Sequence, residues 1–377
     1  MRNRGDGNKT LWALLVIAIA VWVLCSIGLL ILDSAGSARS NPHAIAYKQA
    51  IYMGVAFIAL LATMFVDLQK LRKFALPLAV ISIILLVAVL FPQIGKEVNG
   101  SRRWIPIFGD TAIQASDFAK LSLILLLSSY LHDNQRKMGT FINGLLKPVG
   151  IVAVFCALIL AEPDFGTTAL CGGVGMAMIY MAGCQKKIFF SLGTIAVVAV
   201  SVLLYFSPVR RARILAFMDV ENTKLEGSYQ LYQAILGFGV GGVDGAGIGQ
   251  GRQQLSFLPE AHTDFVFAIV GEELGLIFTV LVVLMFATIF FVGMLSLQKA
   301  KNRFEMYMMM GAVFMITFQA VFNLCVVTGL MPTKGISLPF ISYGGSNLVV
   351  MFALVGIIFN CLRSWSKPTK IKVVEYE

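Results

Sequence analysis

The sequence predicts an all-α polytopic membrane protein of about ten transmembrane helices, and three observations predict it. The 377 residues are 58% hydrophobic and only 13% charged. Mean hydropathy is +0.82, far above the soluble range. Apolar runs of about 17 to 25 residues, long enough to cross a bilayer as helices, recur from end to end.

In chain order the runs cover 11–32, 49–66, 74–91, 115–131, 147–162, 166–184, 188–206, 264–294, 304–330 and 346–363. The first is too long for the apolar core of a signal peptide, and no small-residue cleavage site follows it cleanly, so it reads as a retained span. Residues 1–10 and 364–377 are then tails around a single ten-helix domain, 11–363. A large external loop, 207–263, separates helices 7 and 8.

Basic residues set the orientation. Lys70, Arg72 and Lys73, then Arg136 and Lys137, then Lys186 and Lys187, then Lys299, Lys301 and Arg303 occupy alternate short loops. Arg2, Arg4 and Lys9 in one tail and Arg363 and Lys367 at the other fall on the same side. The positive-inside bias puts that side, and both termini, in the cytoplasm. Arg102, Arg103, Arg210, Arg211, Arg213 and Arg252 lie outside against the bias, so something there uses positive charge. The formal net charge of +10 reflects topology plus this cluster; no soluble basic domain exists to bind nucleic acid.

The six cysteines fall within or at the ends of apolar spans without CxxC pairing, and the three histidines are not spaced for zinc. Neither a disulfide framework nor a metal site is suggested. Two external stretches are long, 92–114 and 207–263. The second opens with "RRARILAFMD", an amphipathic segment suited to an interface. From Gly237 to Gly251, eight of fifteen residues are glycine, which permits tight turns and close backbone approach. Gly237, Gly239 and Gly242 match GxGxxG by chance, because no strand precedes them.

An ionisable group at membrane depth costs about 3 kcal/mol, so it normally faces a cavity or a partner. Arg102, Arg103 and Trp104 in "NGSRRWIP", Asp117 and Lys120 in "QASDFAKL", Glu162 and Asp164 in "AEPDFGTT", and Asp264 in "AHTDFVF" all fall near external ends of spans. Each also has a plainer reading. Asp117 pairs locally with Lys120 three residues on, Trp104 belongs to an interfacial aromatic belt, and Glu162 and Asp164 are exposed acids of a tight turn.

Asp264 is expected to open the eighth span, with Thr263 as its N-cap. The helix dipole there lowers its pKa unless burial raises it. Glu272 and Glu273 lie two or more turns deeper. At 100° per residue, Glu272 is rotated about 80° from Asp264 and Glu273 about 180°, so at least one is expected to tune the cavity or to hold a polar group on a neighbouring helix.

The segments "NGSRRWI", "QASDFAKL", "EPDFGTT", "GSYQLYQAI", "GIGQGRQQLSFLPEAHTDFVFAIVGEELG" and "GLMPTKGISLPFISYGGSN", in this order across nearly the whole chain, resemble the motifs of the SEDS family (shape, elongation, division, sporulation). "PTKGISLPFISYGGSN", with Thr333, Lys334 and Gly335, is more similar to the division branch than to the elongation branch. The resemblance implies a SEDS-type glycosyltransferase of the bacterial cytoplasmic membrane that polymerises lipid II into β-1,4 glycan strands on the external face. It also implies a class B penicillin-binding protein (transpeptidase) and other divisome membrane proteins as partners, at the division septum.

The family's catalytic acid matches Asp264, and family residues important near the cavity match Arg102, Trp104, Lys120, Glu162 and Asp164. One departure is "QASDFAK" where the family has "QPSEFAK": Ala115 replaces a proline, and Asp117 is a shorter acid with less reach. The residue types suit the reaction. Pyrophosphate is a good leaving group, so one base, Asp264, suffices to deprotonate the attacking hydroxyl. Arg102, Arg103 and Lys120, with Arg210 and Arg211, are the cations to meet the developing anion. No cofactor is identified; a divalent cation, Mg or Mn, is the one candidate, with no identifiable ligand set. Two other classes remain: a lipid II flippase, which would place its charges nearer the bilayer midplane, and a non-catalytic scaffold for the penicillin-binding protein.

Overall fold

The computed structural model describes residues 4–36, 43–98, 101–108, 111–191, 193–194, 205–206, 208–223, 228–253, 258 and 260–366. Every predicted span but the seventh meets a helix: α1 (Arg4–Gly36), α2 (Ala44–Phe65), α4 (Ala75–Ala88), α5 (Ala115–Asp133), α6 (Lys147–Ala161) and α7 (Phe165–Met181). A short α3 (Leu68–Lys73) sits between α2 and α4, capped by Asp67, whose side chain accepts from Gln69 N and Lys70 N. The seventh span, 188–206, lies largely outside the described residues. After it come α8 (Pro208–Met218), α9 (Tyr229–Gly241), α10 (Val266–Ser296), α11 (Arg303–Val327) and α12 (Gly345–Ser366). Among the described residues, six helical stretches are long and apolar enough to cross a bilayer, and α4 and α7 are shorter apolar helices.

The centre of the bundle is made by α11 and α12, whose most apolar windows are 72% and 78% buried. Helices that are apolar all round belong inside. Around them, α2 lies along α12, α1 packs on α10 and α12, and α11 touches α5, α7 and α10. Polar side chains pin some of these contacts: Asn360 Nδ2 of α12 donates to Thr63 O (2.9 Å) and Val66 O (2.7 Å) at the end of α2.

Three features depart from a plain helical reading. First, the stretch 92–114 holds a three-stranded antiparallel sheet, β1 (Lys96–Val98), β2 (Ser101–Phe108) and β3 (Thr111–Gln114), in the order β1-β2-β3. Ser101 pairs with Val98, and Trp104 pairs with both Lys96 and Gln114. Second, the segment read as one loop, 207–263, contains α8 and α9. The buried face of α9 (Leu231, Ala234, Gly237, Gly241) packs on α10. Third, α10 is broken inside: Gly275 has φ 75° and ψ −169°, a conformation that glycine tolerates and other residues do not.

Because the helices alternate in direction, the N-termini of α5, α7, α10 and α12 meet the C-termini of α4, α6 and α11 at one end, beside the sheet. The basic short loops lie at the opposite end, where Arg72 pairs with Asp133 and Lys301 Nζ donates to Ser364 O.

Candidate active site

The site forms where these helix ends converge. β2 delivers Arg103 and Trp104, the turn between α6 and α7 delivers Asp164, and the residues before α10 deliver Glu260 and Asp264. The segment between α11 and α12 delivers Thr333, Lys334 and Gly335. Arg103, Asp164, Glu260, Asp264 and Lys334 line one cavity of about 360 Å3. Asp264, Gly335, Arg103 and Glu260 also border an adjoining cavity of about 220 Å3, whose other walls include Trp104, Tyr343 and Asn347. Asp264 therefore stands on the wall between two chambers, of which the second adds the aromatic rings of Trp104 and Tyr343.

Asp264 does not open α10 as the sequence suggests. The helix starts at Val266, its N-cap position is Phe265 without a side-chain cap, and Thr263 instead donates to Glu260 O (3.2 Å) and Glu260 Oε2 (2.8 Å). The backbone here is fastened from two neighbours. Asn323 Nδ2 of α11 donates to Asp264 O (2.7 Å) and Ile336 O (2.6 Å), and Ser342 Oγ donates to Thr263 O (2.5 Å). Burial pushes the Asp264 carboxyl up to about 7; Glu260 and Asp164 add to the rise, and Arg103 opposes it. The carboxyl lies ahead of the helix and not in its first turn, and desolvation is the largest cause of the shift.

Arg103 bridges the chamber to the α6–α7 turn. Its Nε donates to Glu162 O (3.3 Å), its Nη2 to Pro163 O (3.1 Å) and Ser101 Oγ (3.0 Å), and its Nη1 lies 3.6 Å from Asp164 Oδ2. Asp164 is itself the cap of α7: it accepts from Thr167 N (3.0 Å), Thr167 Oγ1 (2.9 Å) and Gln114 Nε2 (3.3 Å). Lys334 reaches the chamber from the other side, with Nζ 4.9 Å from the centre of the Phe165 ring.

Several expected site residues stand elsewhere. Arg102 pairs with Glu97 at 3.1 Å and, with Glu162, lines a separate cavity of about 230 Å3. Glu162 is fully buried, and neither carboxyl oxygen has a hydrogen-bond partner among the described residues. Burial, with help from Asp164, pushes its pKa up to about 8, against Arg103. The protonated form is thus favoured at neutral pH. Lys120 is buried behind the cavity wall: its Nζ contacts Asp117 Oδ1 (2.9 Å), Gln319 Oε1 (3.0 Å) and Asn347 Oδ1 (3.4 Å). Its partner Asp117 accepts from Ser346 Oγ of α12 at 2.6 Å and, unlike Lys120, lines the cavity of about 220 Å3. Arg211 is exposed on α8, and the side chain of Arg210 lies outside the described residues. Glu272 and Glu273 are buried along α10, away from these cavities.

Among the chamber residues that the sequence does not mark as site residues are Glu260, Lys334 and Gly335. Glu260 reads as one more loop acid, and "TKG" marks a branch of the family without suggesting contact with Asp264. Only the fold puts them together. The divalent-ion candidate gains no ligand set: among the described residues no group of three or more His, Cys, Asp or Glu side chains is placed to hold a metal ion. Positive charge in the chamber comes from Arg103 and Lys334.

Comparison with known proteins agrees with this architecture. Residues 9–367 match the family model described as "Cell cycle protein", FtsW/RodA/SpoVE. A protein from Legionella pneumophila named "Probable peptidoglycan glycosyltransferase FtsW" is 38% identical over 348 residues, covering 90% of this chain and 88% of its own. "Stage V sporulation protein E" from Bacillus subtilis is 36% identical over 93% of this chain and 96% of its own. Among solved structures, a chain from "Structural coordination of polymerization and crosslinking by a peptidoglycan synthase complex" superposes with a TM-score of 0.77, at 25% identity, over 93% of this chain and 97% of that one. The crystal structure of the Thermus thermophilus rod shape determining protein RodA shares the fold, with a TM-score of 0.67 at 23% identity over 93% of this chain and 97% of that one. With nearly all of its length matched, this multi-pass membrane protein belongs to the FtsW/RodA/SpoVE family of cell cycle proteins, the SEDS family.

Proposed function

We propose that this chain is a peptidoglycan glycosyltransferase that polymerises lipid II into β-1,4 glycan strands at the external face of the cytoplasmic membrane, in cell division. The observation that carries the reading is Asp264: a carboxyl raised to about 7, set between a chamber holding Arg103 and Lys334 and an adjoining chamber walled in part by Trp104, Tyr343 and Asn347. The name of the Legionella pneumophila relative supports the same activity.

The chemistry follows from the placement. A base with a pKa near the working pH is present in its ionised form and still strong enough to take a proton. Asp264 takes the proton of the acceptor sugar hydroxyl, whose oxygen bonds to the anomeric carbon of the donor. The bond from that carbon to the pyrophosphate breaks in the same displacement, inverting an α-linked donor to a β-linked product. The departing pyrophosphate carries the negative charge, and Arg103 and Lys334 are the cations on that side. The product is one disaccharide longer, and the lipid pyrophosphate is released.

The sided charge supports both termini in the cytoplasm and the site outside, since the basic short loops and the Asp264 cavity lie at opposite ends of the bundle. Similarity to a chain of a complex that coordinates polymerization and crosslinking supports a class B penicillin-binding protein as partner, and the division-like motif around Lys334 supports the septum. Purified chain and transpeptidase are reconstituted in liposomes with labelled lipid II. Polymer is the expected product; lipid II scrambled between leaflets without polymer means a flippase, and neither product means a scaffold.

A further inference from the structure

The glycine-rich segment 242–253 is threaded into the break of α10. Where Gly275 interrupts the helix, main-chain groups are released, and the segment takes them up. Ala246 N donates to Glu272 O (2.8 Å), Gly247 N donates to Glu273 O (3.0 Å), and Leu276 N donates back to Gly242 O (3.0 Å). Irregular backbone within a membrane span is tolerated where protein satisfies it in this way.

The side chains of the same two glutamates complete the clasp. Glu272 Oε1 accepts from Arg252 N at 2.8 Å and Glu272 Oε2 from Gln253 N at 3.2 Å. Glu273 Oε1 accepts from Ser34 Oγ of α1 at 2.8 Å. Both glutamates are 1% exposed. A Cβ on Gly251 would lie 2.9 Å from a carboxylate oxygen of each, so the fit leaves no room for a side chain there.

This clasp sits at the far end of the short piece of helix, 266–274, that follows Asp264. The C-terminal part of α9 packs tightly on the same piece: a Cβ on Gly241 would come within 2.0 Å of Gly271 O. Gln230, at the start of α9, lines the Asp264 chamber. The segment 242–253, α9 and 266–274 are therefore one packed body, with Asp264 at one edge and the two glutamates at the other. An acceptor is needed here, because an apolar residue at 272 would leave the Arg252 and Gln253 amides without a partner.

We propose that Glu272 and Glu273 are positioning residues for Asp264. By clasping 246–253 in the break of α10, they set where 266–274, and with it the Asp264 carboxylate, stands relative to Arg103 and Lys334. The role rests on Asp264 acting as the base.

The test uses the full chain with its transpeptidase in liposomes and purified lipid II, comparing Glu272→Ala, Glu272→Gln and Asp264→Asn. Amide exchange reads the clasp, and saturation kinetics read the chemistry. In Glu272→Ala the Arg252 and Gln253 amides exchange at least tenfold faster, kcat falls tenfold or more, and half-saturating lipid II stays within twofold. Glu272→Gln, which keeps one acceptor oxygen, gives an intermediate kcat and carries the test if the alanine protein does not fold. Faster exchange with unchanged kcat, or a rise in half-saturation alone, overturns the role. Full activity in Asp264→Asn overturns both the base reading and this one. Activity lost there but kept in the Glu272 variants overturns only the positioning role.

Discussion

The carboxylate of Asp264 rests against the backbone of Gly335: a Cβ at that glycine would lie 2.8 Å from Asp264 Oδ2. Two segments separated by α10 and α11 thus meet at the proposed base, and hydrogen bonds from Asn323 and Ser342 hold them there.

Gly335→Ala pushes a methyl group against that carboxylate while leaving the helices untouched. Glycan synthesis is expected to fall at least tenfold, with thermal stability within about 1 kcal/mol of the parent. Polymerisation assays and a thermal shift on the same preparation check both halves.

The pH profile of kcat/KM should report Asp264. Its reactive form is the carboxylate, so activity rises with pH through about 7 and then levels. Glu260 raises the Asp264 pKa and Arg103 lowers it. Glu260→Gln therefore moves the rising limb to lower pH, and Arg103→Gln moves it to higher pH while also lowering the maximum.

Glu162 couples folding to pH in the opposite sense from a salt-bridged acid. Its folded pKa of about 8 lies above the ordinary value of 4.5. Between those values the folded state keeps a proton that the unfolded state releases. Its contribution to stability is whole below about 4.5 and lost as pH rises through about 8. Glu162→Gln cannot ionise, so its Tm at pH 9 should exceed the parent's by several degrees, with the gap closing at pH 5.

Lys120 and Asp117 form a buried pair, with side chains 5% and 2% exposed. Lys120→Met strands Asp117 without its cation and is expected to cost about 3 to 5 kcal/mol of stability. Adding Asp117→Leu should restore much of the Tm. Recovery of stability in the double variant marks the pair as structural support, with Asp117 in the cavity wall and Lys120 behind it.

Much of this molecule is legible in its sequence, for local reasons. Long apolar windows mark helices because a span must satisfy its own backbone, and the sided lysines and arginines order the ends. Asp264 stands out because a carboxylate beside an apolar helix needs a reason. The sheet over 96–114 does not show in the apolar runs, although Asn99-Gly100 within that stretch is a hairpin signal in the sequence. The rest depends on contacts far apart in sequence. Nothing local says that Lys120 meets Gln319 and not the cavity, that Arg102 turns to Glu97, or that Gly335 backs onto Asp264. The break at Gly275 is hidden for the same reason: a glycine in an apolar run reads as a helix residue until the segment that fills the break is seen.

The most direct measurement is glycan polymerisation from purified lipid II by Asp264→Asn chain in complex with its transpeptidase, beside the parent. Asparagine keeps the size of aspartate but is neutral and cannot take the proton. Polymer is expected to fall by at least 100-fold, the scale at which a positioned base contributes, with complex formation and Tm unchanged. Polymerisation at the parent's rate by that protein would contradict the assignment of Asp264 as the base.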